Sequence, residues 1–198
     1  ALLESSGWVD ADGNGVREKD GMPLKILYQT SVNPVRQDFQ AIVKSMWNEI
    51  GVEVELKQVD ASVFFGGDAG SPDTFQKFYA DVEMYANNFD GTDPEPYLGQ
   101  YLCDKIPGPD NQWQGENINR FCDPAYDALW LELSKTADMA KRSEIAIRLN
   151  EMLTKDTYVI IPLVDRGRLS AASNTLGGVV LNTWDTELWN AQDWFRIK

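Results

Sequence analysis

Leu24-Lys25-Ile26-Leu27-Tyr28, a short apolar run, and Val52-Glu53-Val54-Glu55-Leu56, an alternating one, bracket a helical stretch, and the three together decide the fold. The first run reads as a buried strand. Asn33 and Pro34 then supply an N-cap and a first-turn proline. Val35, Phe39, Ile42, Val43, Met46, Trp47 and Ile50 recur at helical spacing on one stripe, and Gly51 gives the stop. Val52, Val54 and Leu56 alternate with Glu53, Glu55 and Lys57, the period of a half-exposed strand. Strand, helix, strand with short links is a βαβ unit, whose strands are expected to be parallel.

Outward from this unit the punctuation continues. Asp10 to Gly21 is rich in turn residues. Ala80 to Ala86 alternates as a third strand and runs into Asn87-Asn88-Phe89-Asp90-Gly91-Thr92-Asp93-Pro94, a polar loop at the strand's C-terminal end. In open α/β sheets ligands sit at that end. Pro94 to Leu102 reads as a short helix. Asp123-Pro124 opens another, with Tyr126, Leu129, Trp130 and Leu133 on its buried face. Asp138 caps the next, whose stripe is Ile145, Leu149, Met152 and Leu153, and the two form an αα-hairpin. Tyr158 to Val164 is a continuous apolar run, expected as a central strand with Pro162 at its end or at a bend. From Arg168 the chain is irregular and carries Trp184, Trp189 and Trp194 close together. The expected class is α/β, a mixed sheet with flanking helices.

Composition narrows the function. The 198 residues suffice for a hydrophobic core, and 43% hydrophobic with 25% charged is the ordinary globular range. No apolar run approaches the ~18–20 residues that cross a bilayer. Ala1-Leu2-Leu3-Glu4 reads as the last turn of a helix ending near Gly7, so the sequence is expected to be a piece of a longer chain, and the lack of a signal peptide carries no weight. A net charge of −13, with the acids dispersed, speaks against nucleic acid and anionic membranes as partners. The chain has no His, which removes the usual general base, the usual zinc ligand and any Ser-His or Cys-His pair. No enzyme is expected. Gly66-Gly67 and Gly177-Gly178 lack the pattern of a phosphate-binding loop, and the aromatics are not interleaved with basic residues.

Two cysteines, Cys103 and Cys122, flank a loop rich in Pro, Gly and Asn. They read either as a disulfide contributing ~2–3 kcal/mol or as two buried thiols. Asp10-x-Asp12-x-Asn14-Gly15 matches the first half of a calcium loop, with Glu18 at the ninth position, but the twelfth is Gly21 where a bidentate Glu is needed. The stretch reads either as a structural calcium site or as a plain Asx-turn loop, and no cofactor is required.

Several pieces now stand in order: Leu2-Leu3-Glu4-Ser5-Ser6-Gly7-Trp8, the Asp10–Gly21 segment, the βαβ unit, Asp90-Gly91-Thr92-Asp93-Pro94, Asn119-Arg120-Phe121-Cys122-Asp123-Pro124-Ala125-Tyr126-Asp127, and Ile161-Pro162-Leu163. The series resembles the C-terminal half of the family 5 bacterial extracellular solute-binding proteins, the oligopeptide, dipeptide and nickel binding class. The resemblance implies a periplasmic-binding-protein-like lobe, residues 1–165, as the distal half of a two-lobed clamp. Residues 166–198 then form a tail returning toward the first lobe, and the tryptophans either pack locally or are covered by that lobe. It implies solute capture for an ABC-type importer, most often of peptides, by a monomer that docks on membrane permease subunits. Its place would be periplasmic or extracellular, with or without a lipid anchor. Asp90 matches the carboxylate that pairs with a peptide's α-ammonium in peptide-binding members, with Asn87, Asn88 and Phe89 lining the same pocket. The family often carries Trp shortly before that Asp, where this chain has Asn87. An oligosaccharide or another small solute on the same scaffold is the alternative, and a calcium-stabilised interaction module a more distant one.

Overall fold

The computed structural model describes residues 2–88, 91–165, 170–182 and 185–197. The chain divides into two compact units, one of Ala1–Asn88 and Gln100–Asp127, the other of Phe89–Gly99 and Ala128–Lys198.

In the first unit α1 (Leu2–Ser5) precedes a small antiparallel hairpin of β1 (Glu18–Lys19) and β2 (Met22–Pro23). Then come β3 (Lys25–Ser31), α2 (Pro34–Glu49), β4 (Glu53–Val59), α3 (Ala61–Phe64) and β5 (Val82–Met84). The three longer-range strands form one parallel sheet in the order β4-β3-β5, with Tyr28 opposite Leu56 on one side and Val82 on the other. The βαβ reading therefore holds strand for strand. Asn33 caps α2 by accepting from the Arg36 amide, with Pro34 at the first position. At the other end Gly51 adopts φ of +86°, where a Cβ would fall 2.6 Å from the Arg17 side chain. That glycine is needed both for the left-handed backbone and for room.

One face of the sheet buries Tyr28, Val52 and Val54 against Ile26, Leu56, Val82, Met84 and the Val43 and Trp47 side chains of α2. The predicted stripe of α2 is only partly used. Val35, Ile42, Met46 and Ile50 are exposed, while Gln40 is fully buried. Its amide donates to the Tyr28 carbonyl at 2.8 Å and accepts from Gln58 at 3.2 Å. A buried amide must be satisfied, and seating Gln40 turns the helix so that part of its apolar stripe faces outward.

Cys103 and Cys122 are joined as a disulfide with Cα atoms 4.7 Å apart. The loop they close is filled by buried Asn117, whose amide donates to the carbonyls of Tyr101, Leu102 and Phe121 at 3.0, 2.9 and 2.6 Å.

The second unit holds α4 (Glu95–Gly99), most of α5 (Pro124–Leu133), α6 (Met139–Glu151) and the antiparallel pair β6 (Leu176–Gly177) and β7 (Phe195–Arg196). Asp138 caps α6 by accepting from the Lys141 amide at 2.8 Å. Leu133, Ile145, Leu149, Met152 and Leu153 are buried, the face expected from their spacing. After Glu151 the helix widens into a π-turn over Met152–Asp156, closed by the Thr157 hydroxyl on the Met152 carbonyl.

Tyr158 to Val164 does not form the expected strand. Tyr158 takes φ of +54°, which breaks the extended chain at its first residue, and Ile161, Leu163 and Val164 are exposed. Pro162 has no N–H for a ladder, and the three sheets of the described residues do not include this stretch. Trp189 donates to the Val180 carbonyl and Trp194 to the Asn190 side chain, both local partners; Trp184 lies outside the described residues.

Candidate ligand-binding site

Because β3, β4 and β5 are parallel, their C-terminal ends lie along one edge of the sheet. Ser31 ends β3, and its hydroxyl bonds the Arg36 guanidinium on the first turns of α2. That guanidinium also sits over the Phe65 ring, 5.7 Å from its centre. Phe64, Phe65, Phe75 and Tyr85 form a chain of tilted and edge-on ring contacts with centres 4.9 to 5.9 Å apart. Phe64 is fully buried, whereas Phe65, which carries the cation, is 43% exposed.

The loop after β5 carries the residues expected to line the pocket. Asn87 is exposed and donates to the Gln100 side chain at 2.8 Å; Asn88 is exposed as well. Phe89 and Asp90 lie outside the described residues. The part of the loop from Gly91 onward is anchored. Asp93 accepts from the Glu95 amide at 3.0 Å, which starts α4. That amide, and then the Arg142 guanidinium, hold its carboxyl below the usual carboxylate range.

Behind the sheet edge, on the face opposite α2, Glu83 of β5 accepts from Gln29 of β3 at 3.0 Å. Its other carboxylate oxygen is buried and has no hydrogen-bond partner among the described residues. Burial raises its pKa to about 8, against the opposing pull of Arg120, Gln29 and Lys57. Lys57, opposite Gln29 on β4, is paired with Asp73 at 2.6 Å. Sequence alone offers no sign of this polar row, because Gln29, Lys57 and Glu83 look like the solvated positions of alternating strands.

The Asp10 loop closes on itself. Asp10 accepts from the amides of Gly13 and Gly15, Asp12 from the amide and side chain of Asn14, and Glu18 from the Ala11 amide. The Asn14 side-chain oxygen accepts from the Val16 amide. One carboxylate oxygen from each of Asp10, Asp12 and Glu18 lies within 4.8 Å of the others, close enough to share a cation. The same carboxylates already serve the loop's own amides, which is what an Asx-turn loop does.

Residues 1–107 match the model of the bacterial extracellular solute-binding proteins, family 5, middle region. The chain belongs to that family. Over 62 residues this family 5 chain is 34% identical to the oligopeptide-binding protein AppA of Bacillus subtilis, covering 31% of the chain and 11% of AppA. Over 136 residues it is 24% identical to di/tripeptide-binding protein 1 of Pseudomonas aeruginosa, covering 68% of the chain and 22% of that protein. The matched stretches thus cover less than a quarter of the length of these curated relatives. Among solved structures, AppA in complex with a nonapeptide superposes on the whole chain with a TM-score of 0.66, at 19% identity and over 36% of its own length. NikZ from Campylobacter jejuni, in complex with Ni(L-His), gives 0.68 over 98% of the chain, at 18% identity and over 37% of its own length. The fold is that of these binding proteins, and the family is one of extracellular receptors for solutes. Among the described residues no helix is long and apolar enough to cross a membrane.

Proposed function

We propose that this family 5 chain is the distal lobe, residues 1–165, of a two-lobed receptor that captures peptides for an ABC-type importer, with residues 166–198 as the tail returning to the first lobe. The observation that carries the reading is the family match over residues 1–107, supported by relatives named for oligopeptide and di/tripeptide binding. In this reading Asp90 pairs with the ligand's α-ammonium in a closing cleft, where a charge-assisted hydrogen bond is strong. Asn87, Asn88 and Phe89 line the same pocket. No bond is made or broken. The receptor works as a monomer outside the cytoplasmic membrane, in the periplasm or at the cell surface, with or without a lipid anchor, and hands its cargo to permease subunits.

Mass spectrometry of the solute that co-purifies with the full two-lobed protein tests the cargo directly. Peptides are the expected finding; an oligosaccharide or a metal chelate replaces the peptide reading with another solute on the same scaffold. Asp90→Ala in that protein is expected to weaken peptide binding at least about tenfold by calorimetry, and unchanged affinity removes Asp90 from the site. The Asp10 loop acts as a turn in this reading, with no cofactor required. Its melting temperature is then the same with calcium as with chelator, and an upward shift with calcium contradicts it.

A further inference from the structure

Asn14-Gly15 is the one Asn-Gly pair in the sequence, and both residues lie exposed in the Asp10 loop. Such a pair is chemically labile in water. The glycine nitrogen, once it has lost its proton to hydroxide, attacks the asparagine Cγ. The N–Cγ bond forms, the Cγ–Nδ2 bond breaks, and ammonia leaves with a proton taken from water. Water then opens the succinimide at either carbonyl, giving aspartate or isoaspartate. Glycine permits the attack because no side chain shields its nitrogen. The turn nonetheless calls for glycine at this place, since Gly15 has φ of +91°, a left-handed backbone that other residues rarely adopt.

Both reacting groups are engaged by the loop. The Gly15 N–H donates to Asp10 Oδ2 at 3.0 Å, while Oδ1 of the same carboxylate accepts from the Gly13 amide at 2.8 Å. A carboxylate on that N–H favours the neutral amide, and its charge opposes the amide anion, so the nucleophile forms less readily. The Asn14 side chain is held at both ends. Its Nδ2 donates to Asp12 Oδ2 at 3.0 Å, and its Oδ1 accepts from the Val16 amide at 2.7 Å. Attack turns the planar Cγ tetrahedral and moves both atoms off these partners. Conversion would also set a new carboxylate beside Asp10, Asp12 and Glu18, whose oxygens already lie within 4.8 Å of one another. Like charges at that range repel.

We propose that Asn14 is a site of spontaneous deamidation held in check by its own loop, with Asp10 shielding the Gly15 nitrogen and Asp12 pinning the amide that would leave. The Asp10-x-Asp12-x-Asn14-Gly15 stretch then has a role that requires no cation: its carboxylates keep a labile pair intact. This role is independent of the solute captured.

The test incubates the full two-lobed protein in mildly alkaline buffer containing chelator, and follows aspartate and isoaspartate at position 14 by peptide mapping and mass spectrometry. A synthetic peptide of residues 9–19 is the reference. Conversion in the protein is expected to be slower than in the peptide by about tenfold or more, a factor of ten in rate being one pKa unit of the attacking nitrogen. Asp10→Asn, which keeps an acceptor without the charge, and Asp12→Ser each bring the rate toward that of the peptide. Asp20-Gly21, in the turn between β1 and β2, forms the same succinimide by losing water and reports on opening of the region in the same digest. Faster conversion at Asn14 with Asp20 steady bears the guard out. Equal acceleration at both positions means that the variants merely open the region, and the guard is overturned. It is overturned as well if the protein converts as fast as the peptide, or if both variants leave the rate unchanged.

Discussion

Glu83 faces a chemical choice that its neighbours leave half resolved. Gln29 satisfies one of its oxygens, the other is buried with no partner among the described residues, and burial lifts its pKa from 4.5 to about 8. The folded protein therefore holds this proton up to about pH 8, whereas the unfolded chain releases it near 4.5. Between those values the native state binds more protons than the unfolded one, so the contribution of Glu83 to stability is full below pH 4.5 and is lost as the pH rises through 8. Denaturant melts across this window are expected to show stability falling more steeply in the wild type than in Glu83→Gln, by up to about 1.4 kcal/mol per pH unit. Parallel slopes for the two proteins would show that Glu83 is ionised in the folded state. Neither Glu83 nor Arg142 stood out in the sequence. Glu83 takes a polar place in an alternating strand and Arg142 sits among polar residues, and what distinguishes them is supplied by residues 54 and 49 positions away.

Elements were more legible than residues. Asn33-Pro34 and Gly51 mark the ends of α2, and alternation marks β4, because these signals are local and carry their own geometry. The orientation of α2 was not legible. Seven apolar residues predict one buried stripe, and the Gln40 amide, reaching Tyr28 across 12 positions, sets the rotation instead. Tyr158 to Val164 shows the complementary failure. A run of apolar residues has strand propensity, but a strand exists only where an edge receives it, and Tyr158 turns away at once. The cysteine loop allows a quantitative expectation at this scale. Cys103 and Cys122 are 19 positions apart, so the paired Cys103→Ser, Cys122→Ser variant is expected to lose about 3 kcal/mol by chemical denaturation. A loss well under about 1 kcal/mol would mean that Asn117 and its three carbonyls close the loop unaided.

On the scale of the molecule, both units thread through one another's sequence. Phe89–Gly99 falls within the second unit although Asn88 and Gln100 on either side belong to the first. The overall class could be read from the order of elements, since strand, helix, strand and then an αα-hairpin restrict the choices severely. This interleaving could not, because it depends on which later side chains capture the excursion. Those are Trp130 and Arg142, and the second is 49 residues beyond Asp93. A ribosome adds about 5–20 residues per second, so on the nascent chain Asp93 waits roughly 2–10 s for the guanidinium that will hold it. The turn at Asp93 is therefore among the late parts of the second unit to be secured, after the chain that forms the parallel sheet has been made.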